Sequence, residues 1–399
     1  MAPPAGPVRA LPAPVYHALL LCLVTFGLLL PLCCHRLVYS YYYIRPLFLD
    51  SMSESALRDS LGRGLDALHF WEDAGENPEL LELSEEPELL VTIVTARRSE
   101  AKDFHYLLQV ARRLNELLSG CEGKPRCADV LICDVERGAH ANEDAALLEK
   151  RFKVVRRGPK ELDADPVNIF EREKRDYVFC LRKGLELTRA KNVLVLEDDA
   201  LPSPDFFSVV YSLLSRSLVW DNLYVKLYHP ERLQRYWNPE PSRILEWVGL
   251  GSVLATALLL AAPHCKPLPV GVSLSRASLL FFTLYFMATV ELFGRHYLLE
   301  LRRLSPQLYV VSPATECCTP AMLFPGNASL RAADLLDAAF CSKGNAKDMV
   351  LYGALRTLWG EHARSLEPNL VSHIGPFLRQ TQPRRAQAAV SDSVRTKLL

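Results

Sequence analysis

Near the middle of this 399-residue chain an aliphatic run ends in three carboxylates: Val193-Leu-Val-Leu-Glu197-Asp198-Asp199-Ala200-Leu-Pro202. An unbroken aliphatic run marks a buried strand, and ligands of open α/β sheets bind beyond the carboxyl ends of strands. Side chains alternate along a strand, so while extended geometry persists Glu197 and Asp199 share one side and Asp198 faces the other. Anions this close repel one another unless a cation or hydrogen-bond donors offset them. Hard oxygen ligands suit Mg²⁺ or Mn²⁺, ions that also bind diphosphates. Taken alone, the triplet fits an inert, solvated acidic loop somewhat better than a cation site. Asp348 opens a helix after a Lys-Gly-Asn-Ala turn, where a carboxylate is either an N-terminal cap or a general base. His373, in Glu367-Pro-Asn-Leu-Val-Ser-His373-Ile-Gly375, stands beside a glycine turn; imidazole suits Mn²⁺, although a lone histidine is often structural. Glu171, Glu173, Lys174 and Asp176 read as the solvated face of a long helix.

The elements that must position these residues alternate. Strands are expected at Leu89–Thr95, Asp129–Asp134, Phe152–Val155, Asn192–Leu196, Leu223–Tyr228 and Leu308–Val311. Helices are expected at Phe104–Leu118, Asn142–Lys150, Phe170–Thr188, Phe206–Ser215, Arg331–Phe340 and Lys347–Leu358, with a Pro-punctuated loop from Cys317 to Pro325. Strands alternating with helices argue for an α/β fold built on a mostly parallel sheet with helices on both faces.

Apolar stretches divide this pattern. Val15–Cys34 carries no Lys, Arg, Asp or Glu, is long enough to span a bilayer, and lacks a small-residue cleavage site, so it reads as an uncleaved anchor. Ile244–Pro263 and Ala277–Gly294 read as a transmembrane hairpin, with Glu246 and Glu291 near its outer ends. The expected organisation is residues 1–14 as an N-terminal tail, 15–34 as the anchor and 35–85 as a helical stem. The first part of an α/β domain takes 86–243, the hairpin 244–294, the second part 295–382 and a loose tail 383–399. The charged residues on either side of the anchor give no clear orientation. Asn327-Ala-Ser329 is the one glycosylation sequon, and occupancy would require a lumenal side.

The balance of 46 basic against 46 acidic residues, without a basic surface interleaved with aromatics, gives no reason to expect nucleic acid. Eleven cysteines are too few to build the fold from disulfides, and no C-x-x-C pair points to zinc. Cys121 and Cys127 bracket a turn and are placed to close a small loop; Cys133 and Cys180 lie on core segments that are able to join. Cys317 and Cys318 are adjacent and form the third candidate pair, although that spacing strains a bond between them.

A strand ending in Leu-Glu197-Asp198-Asp199, preceded by a helix with Lys174-Arg-Asp176-Tyr177, resembles GT-A glycosyltransferases, notably the branching N-acetylglucosaminyltransferases. Longer strings resemble a narrower family, the Golgi GPI-N-acetylgalactosamine transferases. They are Leu23-Val-Thr-Phe-Gly-Leu, Cys33-Cys-His-Arg-Leu, Val225-Lys-Leu-Tyr-His-Pro-Glu-Arg-Leu, Pro239-Glu-Pro-Ser-Arg-Ile-Leu-Glu-Trp-Val-Gly, Gly294-Arg-His-Tyr, Cys317-Cys-Thr-Pro-Ala-Met-Leu-Phe-Pro and Glu367-Pro-Asn-Leu-Val. The resemblance implies one lumenal GT-A-like domain interrupted by the hairpin, in a three-span Golgi membrane protein with a cytosolic N-terminus. The implied donor is UDP-GalNAc, and the acceptor is a mannose of the GPI core on GPI-anchored proteins. It also implies that Asp199 binds Mn²⁺ with help from His373, and that Glu197 and Asp198 contact metal, ribose or phosphates. Thr95, Ala96, Arg97 and the helix bearing Glu173 would receive the uridine, Pro320 and Ala321 would line the sugar, and Asp348 would be the base of an inverting displacement. Glu-Asp-Asp replaces a strict Asp-x-Asp, which leaves open which carboxylate reaches the metal. A related GlcNAc transferase acting on N-glycans and a non-catalytic Golgi scaffold are the alternatives.

Overall fold

Among the described residues ten short strands form the sheets: β1 (Leu90–Thr95), β2 (Asp129–Asp134), β3 (Lys153–Arg156), β4 (Asn192–Glu197), β5 (Ala200–Pro202), β6 (Asn222–Lys226), β7 (Val310–Pro313), β8 (Ala321–Pro325), β9 (His362–Glu367) and β10 (Val371–His373). The computed structural model describes residues 12–37, 39–44, 54–75, 78–98, 103–121, 127–137, 142–158, 168–216, 220–229, 241–264, 275–314, 316, 318–357 and 361–375. The chain divides into two units, one of residues 1–50 and 231–301, the other of 51–230 and 302–399.

In the second unit eight strands make one sheet, ordered β3-β2-β1-β4-β8-β6-β9-β7, and β5 pairs with β10 in a small one. The strands at the β3 end are parallel, as the alternating pattern predicts. β1 aligns Thr95 with Asp134 on β2 and Val94 with Glu197 on β4, so their carboxyl ends share one rim. The rest is mixed: β8 runs antiparallel between β4 and β6, β9 is parallel to β6, and β7 is antiparallel to β9. β8 corrects the expected loop at Cys317–Pro325. Its prolines flank the apolar core Ala321-Met-Leu-Phe, so they bound the strand without removing a donor from its middle.

Alternation along the strands builds two cores. Val91, Ile93, Leu194 and Leu196 pack under the helices Tyr106–Ser119 and Phe206–Leu214. Leu90, Val193, Val195, Met322 and Phe324 pack under Ile169–Leu187 and Ala328–Ala338. Each fully buried aliphatic contributes about 1.5–3 kcal/mol, which is what holds the rim of the sheet still. Two disulfides, Cys121–Cys127 and Cys133–Cys180, are formed, and the second ties β2 to the helix Ile169–Leu187. Cys317 lies outside the described residues. The solvated face expected on that helix is corrected: Glu171, Lys174 and Asp176 are buried. Lys174 and Arg175 pair with Glu171 at 2.9 and 3.0 Å, and Arg137 and Arg157 reach Asp176 at 2.7 and 3.4 Å, so each buried charge is matched.

The first unit holds apolar helices at Ala13–Cys34 and Ile244–His264 and the start of a third, Arg276–Leu304, all long and apolar enough to cross a membrane. One π turn, Thr25–Leu29, interrupts the first, and the Thr25 hydroxyl meets Tyr285 OH at 2.7 Å. The Trp247 ring N–H donates to the Met287 carbonyl at 2.9 Å, and Tyr41 OH donates to Glu291 at 2.8 Å. Gly251 lets two of the helices approach closely: a Cβ there would lie 2.6 Å from Met287 Cγ and 3.0 Å from the Thr283 carbonyl oxygen. A Cβ at Gly249 would meet nothing within 4 Å. Gly251→Leu should therefore cost about 1–3 kcal/mol through overpacking and lower the melting midpoint of detergent-purified protein. Gly249→Leu should not; equal midpoints for the two variants would refute the close approach.

Candidate functional site

Because β1 and β4 end together, Thr95 and the acidic triplet meet on one rim, and each carboxylate finds different partners there. Glu197 Oε1 accepts from Lys347 Nζ at 3.1 Å and from Thr319 Oγ1 at 3.2 Å. Asp198 accepts from Thr95 Oγ1 at 2.9 Å and from Arg98. Asp199 Oδ2 accepts from Arg98 Nη2 at 2.8 Å and stands 3.5 Å from His373 Nε2. Asp199 Oδ1 is buried with no hydrogen-bond partner among the described residues.

Electrostatics separate the three. Burial would raise Glu197, but Lys347, aided by His373 and Thr319, holds it below the ordinary glutamate value. Burial dominates at Asp198; Arg98 opposes it, the Asp199 charge adds to it, and the carboxyl stays above its ordinary value. Burial would lower Arg98, yet Asp198 and Asp199 together raise it.

Short elements deliver the other groups. β10 pairs with β5 so that His373 faces Ala200, and the Ile374 N–H donates to the Asp199 carbonyl at 2.9 Å. The Tyr228 ring lies 5.9 Å from the His373 ring. Gly375 passes so close that a Cβ would sit 2.1 Å from Asp199 Oδ2. The Glu197 N–H donates to the Pro320 carbonyl at 2.8 Å, which brings Thr319 to the carboxylate. Asp348, at the start of the helix Lys347–Thr357, accepts from the Cys318 N–H and the Met349 N–H, each at 3.0 Å. Thus residues 318–319 and 347–348 grip both Glu197 and Asp348. Lys226, at the end of β6, is 1% exposed. Burial pulls its ammonium down to about 8, with Asp348 and Glu316 acting against the shift.

Glu197, Asp199 and His373 offer ligand atoms that all lie within 4.8 Å of one another. Two carboxylates and an imidazole form a donor set of the Mn²⁺ class, and the unpartnered Asp199 oxygen provides a lone pair, so the residues fit a divalent cation. Thr95, Ala96 and Arg97 open a cleft lined further by Arg98, Tyr106 and Asn142. Asn142 caps the helix Glu143–Leu148 by accepting from the Ala145 N–H, and its amide reaches Thr95 Oγ1 at 3.4 Å. Glu173 is half-buried on the helix Ile169–Leu187. Pro320 and Ala321 are buried, and their carbonyls accept from the Glu197 and Leu227 N–H groups. The residues that sequence reasoning missed are Arg98, Thr319, Lys347 and Gly375. Lys347 adjoins Asp348 and Arg98 adjoins Arg97, so proximity to a named residue was the one available signal.

A family model described as GPI-N-acetylgalactosamine transferase PGAP4 matches residues 89–372, which include both parts of the sheet and the acidic cluster. The chain belongs to the GPI-N-acetylgalactosamine transferase PGAP4 family. Solved structures similar to this PGAP4-family chain include a crystal structure of a mycobacterial protein, with 14% identity and a TM-score of 0.35 over 78% of this chain and 74% of that one. Another is the mannosyltransferase PcManGT from Pyrobaculum calidifontis in complex with GDP-Man and Mn²⁺, with 12% identity and a TM-score of 0.24 over 76% of this chain and 97% of that one.

Two outcomes are expected of this PGAP4-family site. Gly375→Ala should push the Asp199 carboxylate aside, so that if the cluster holds a divalent cation, affinity for Mn²⁺ falls about tenfold or more, read by titration on protein whose melting midpoint is retained. Undiminished affinity would mean that Asp199 does not face the cation. Lys226 binds its proton less tightly in the folded chain, at about 8, than at its ordinary 10.5. The unfolded chain carries more protons between those values, so the contribution of Lys226 to stability is least favourable below about pH 8 and improves toward pH 10.5. The stability of the natural protein relative to Lys226→Met should therefore rise between about pH 7 and about pH 9.5. A difference independent of pH would contradict the burial of that charge.

Proposed function

We propose that this chain transfers N-acetylgalactosamine from UDP-GalNAc to a mannose of the GPI glycan core on GPI-anchored proteins, with Mn²⁺ and with inversion at the anomeric carbon. The observation that carries this reading is the convergence of Glu197, Asp199 and His373 at the carboxyl rim of the sheet, with one Asp199 oxygen unpartnered, in a chain of this family. Asp199, Glu197 and His373 would hold the cation, which when bound offsets the charge on the departing UDP. Thr95, Ala96 and Arg97 line the cleft that would take the uridine; Glu173, on the helix Ile169–Leu187, lies outside that lining and would reach the nucleotide only from beyond it. Asp198 is tied to Thr95 and so joins this cleft to the cation site. Pro320 and Ala321 form the ledge beneath the sugar.

Asp348 is the base in this reading. The Cys318 and Met349 N–H groups fix its carboxylate, which takes the proton of the acceptor hydroxyl as that oxygen attacks opposite the leaving UDP. Two crossings of a hairpin return the chain to the side it left, so both parts of the sheet share one compartment. The two disulfides favour an oxidising lumen, consistent with a Golgi enzyme whose N-terminus is cytosolic. On that side Asn327, exposed just ahead of the helix Ala328–Ala338, is a glycan acceptor. Tethering the domain through an anchor and a hairpin keeps it at the membrane that carries its acceptor.

The deciding experiment measures UDP release by detergent-purified protein given a GPI acceptor, with and without Mn²⁺. Release should require Mn²⁺ and UDP-GalNAc, and Asp199→Ala should abolish it. Asp348→Asn should lower transfer by about 10²–10⁴-fold without changing the affinity for Mn²⁺ and UDP. Faster turnover of UDP-GlcNAc, or turnover indifferent to both substitutions, would overturn the reading.

A further inference from the structure

The guanidinium that reaches the acidic cluster belongs to Arg98, just beyond the end of β1. Its Nη2 donates to both Asp198 and Asp199, the latter at 2.8 Å. The Arg98 side chain is 31% exposed, whereas those of Asp198 and Asp199 are 10% and 5% exposed, so the arginine is the partner that solvent and a ligand in the cleft can reach. The guanidinium lies over the Tyr106 ring, 4.8 Å from its centroid, and Tyr106 stacks on Phe104 at 5.4 Å with the rings 13° apart. Arg98 thus has a platform in the cleft as well as a partner in the cluster.

The oxygen that Arg98 contacts, Asp199 Oδ2, is also the one that faces His373. A divalent cation brought to Asp199 therefore meets a positive charge already on the same carboxylate, and like charges at this range disfavour each other. A diphosphate relieves the conflict. Its oxygens match the planar fork of a guanidinium, and it brings more negative charge than one carboxylate.

We propose that Arg98 is a positioning residue that couples cation and donor. It competes with the divalent cation for Asp199 and is drawn to the diphosphate of the sugar nucleotide, so each ligand strengthens binding of the other. The proposal rests on the reading that Glu197, Asp199 and His373 hold a cation. Tyr106 is the surface along which the guanidinium shifts, which keeps it in the cleft whichever anion it serves.

The test titrates Mn²⁺ into detergent-purified full-length protein, following the free-ion resonance signal with and without UDP. The natural protein, Arg98→Gln, Arg98→Lys and Glu197→Gln are compared. Arg98→Gln should bind Mn²⁺ alone about tenfold more tightly than the natural protein, and the enhancement by UDP should shrink by a similar factor. Arg98→Lys, which keeps the charge, should stay close to the natural protein in Mn²⁺ alone. A purely structural role for Arg98 would weaken Mn²⁺ binding, so a gain separates the two. If Arg98→Gln binds Mn²⁺ no more tightly, while UDP-dependent binding to the natural protein falls in Glu197→Gln, the coupling role is overturned and the cation reading stands. If the natural protein and Arg98→Gln both fail to bind Mn²⁺ with UDP present, the cation reading and the coupling role fall together.

Discussion

Three consecutive carboxylates at the rim of a sheet are tolerable in a buried setting only when each has its own counter-charge or donors. Asp198 and Asp199 are 7% and 3% exposed, so water does little of this compensation. The fold supplies it from separate directions. Lys347 and Thr319 come to Glu197, Thr95 and Arg98 to Asp198, and His373 and Arg98 to Asp199. Much of what looks irregular in the second part of the domain delivers one of these groups. β8 begins just after Thr319, the helix Lys347–Thr357 begins at Lys347, and β10 ends at His373.

That arrangement links the site to the split in the chain. The sheet is left after β6 and rejoined at β7, with the two apolar helices of the hairpin between. The pairings β4–β8, β6–β8 and β6–β9 all wait for the return. Closing a long insertion costs little more entropy than closing a short one, so the split is thermodynamically cheap. Its consequence is electrostatic. Thr95 and Arg98 precede the hairpin, whereas Thr319, Lys347 and His373 follow it, so Glu197 gains its partners only as the sheet is completed. The acidic cluster is therefore complete only when the returning strands are in place, although Asp198 takes its partners from the first part of the chain.

The same division explains what could be read from the residues alone. Strands such as Leu90–Thr95 and Asn192–Glu197 announce themselves because burial on both faces demands aliphatics. β9, His362-Ala-Arg-Ser-Leu-Glu367, and the three-residue β10 are set by their neighbours in the sheet, and neither residue type nor period reveals them. β8 was hidden by its flanking prolines. At the site, Asp199, His373 and Asp348 stood out because few residue types bind metals or carry protons. Arg98 and Lys347 did not, since charged side chains are mostly solvated, and only register says which are turned inward. Glu171, Lys174 and Asp176 were misread for the same reason: arginines on Arg137, Arg157 and Arg175 neutralise the acids, and two of these come from other segments.

The grip on Glu197 also reaches Asp348. Thr319 holds Glu197 while its neighbour Cys318 donates to Asp348, and Lys347 holds Glu197 while Asp348 follows it directly. Lys347 Nζ in turn lies over the fully buried Tyr177 ring, 5.1 Å from its centroid, which anchors the pair to the helix Ile169–Leu187. A shift of either segment therefore moves both carboxylates together. Their separation is a property of the folded core, and neither side chain sets it alone. Under the proposed transfer reaction, such shared anchoring would lower the ordering cost that a site built on independent loops bears at each turnover.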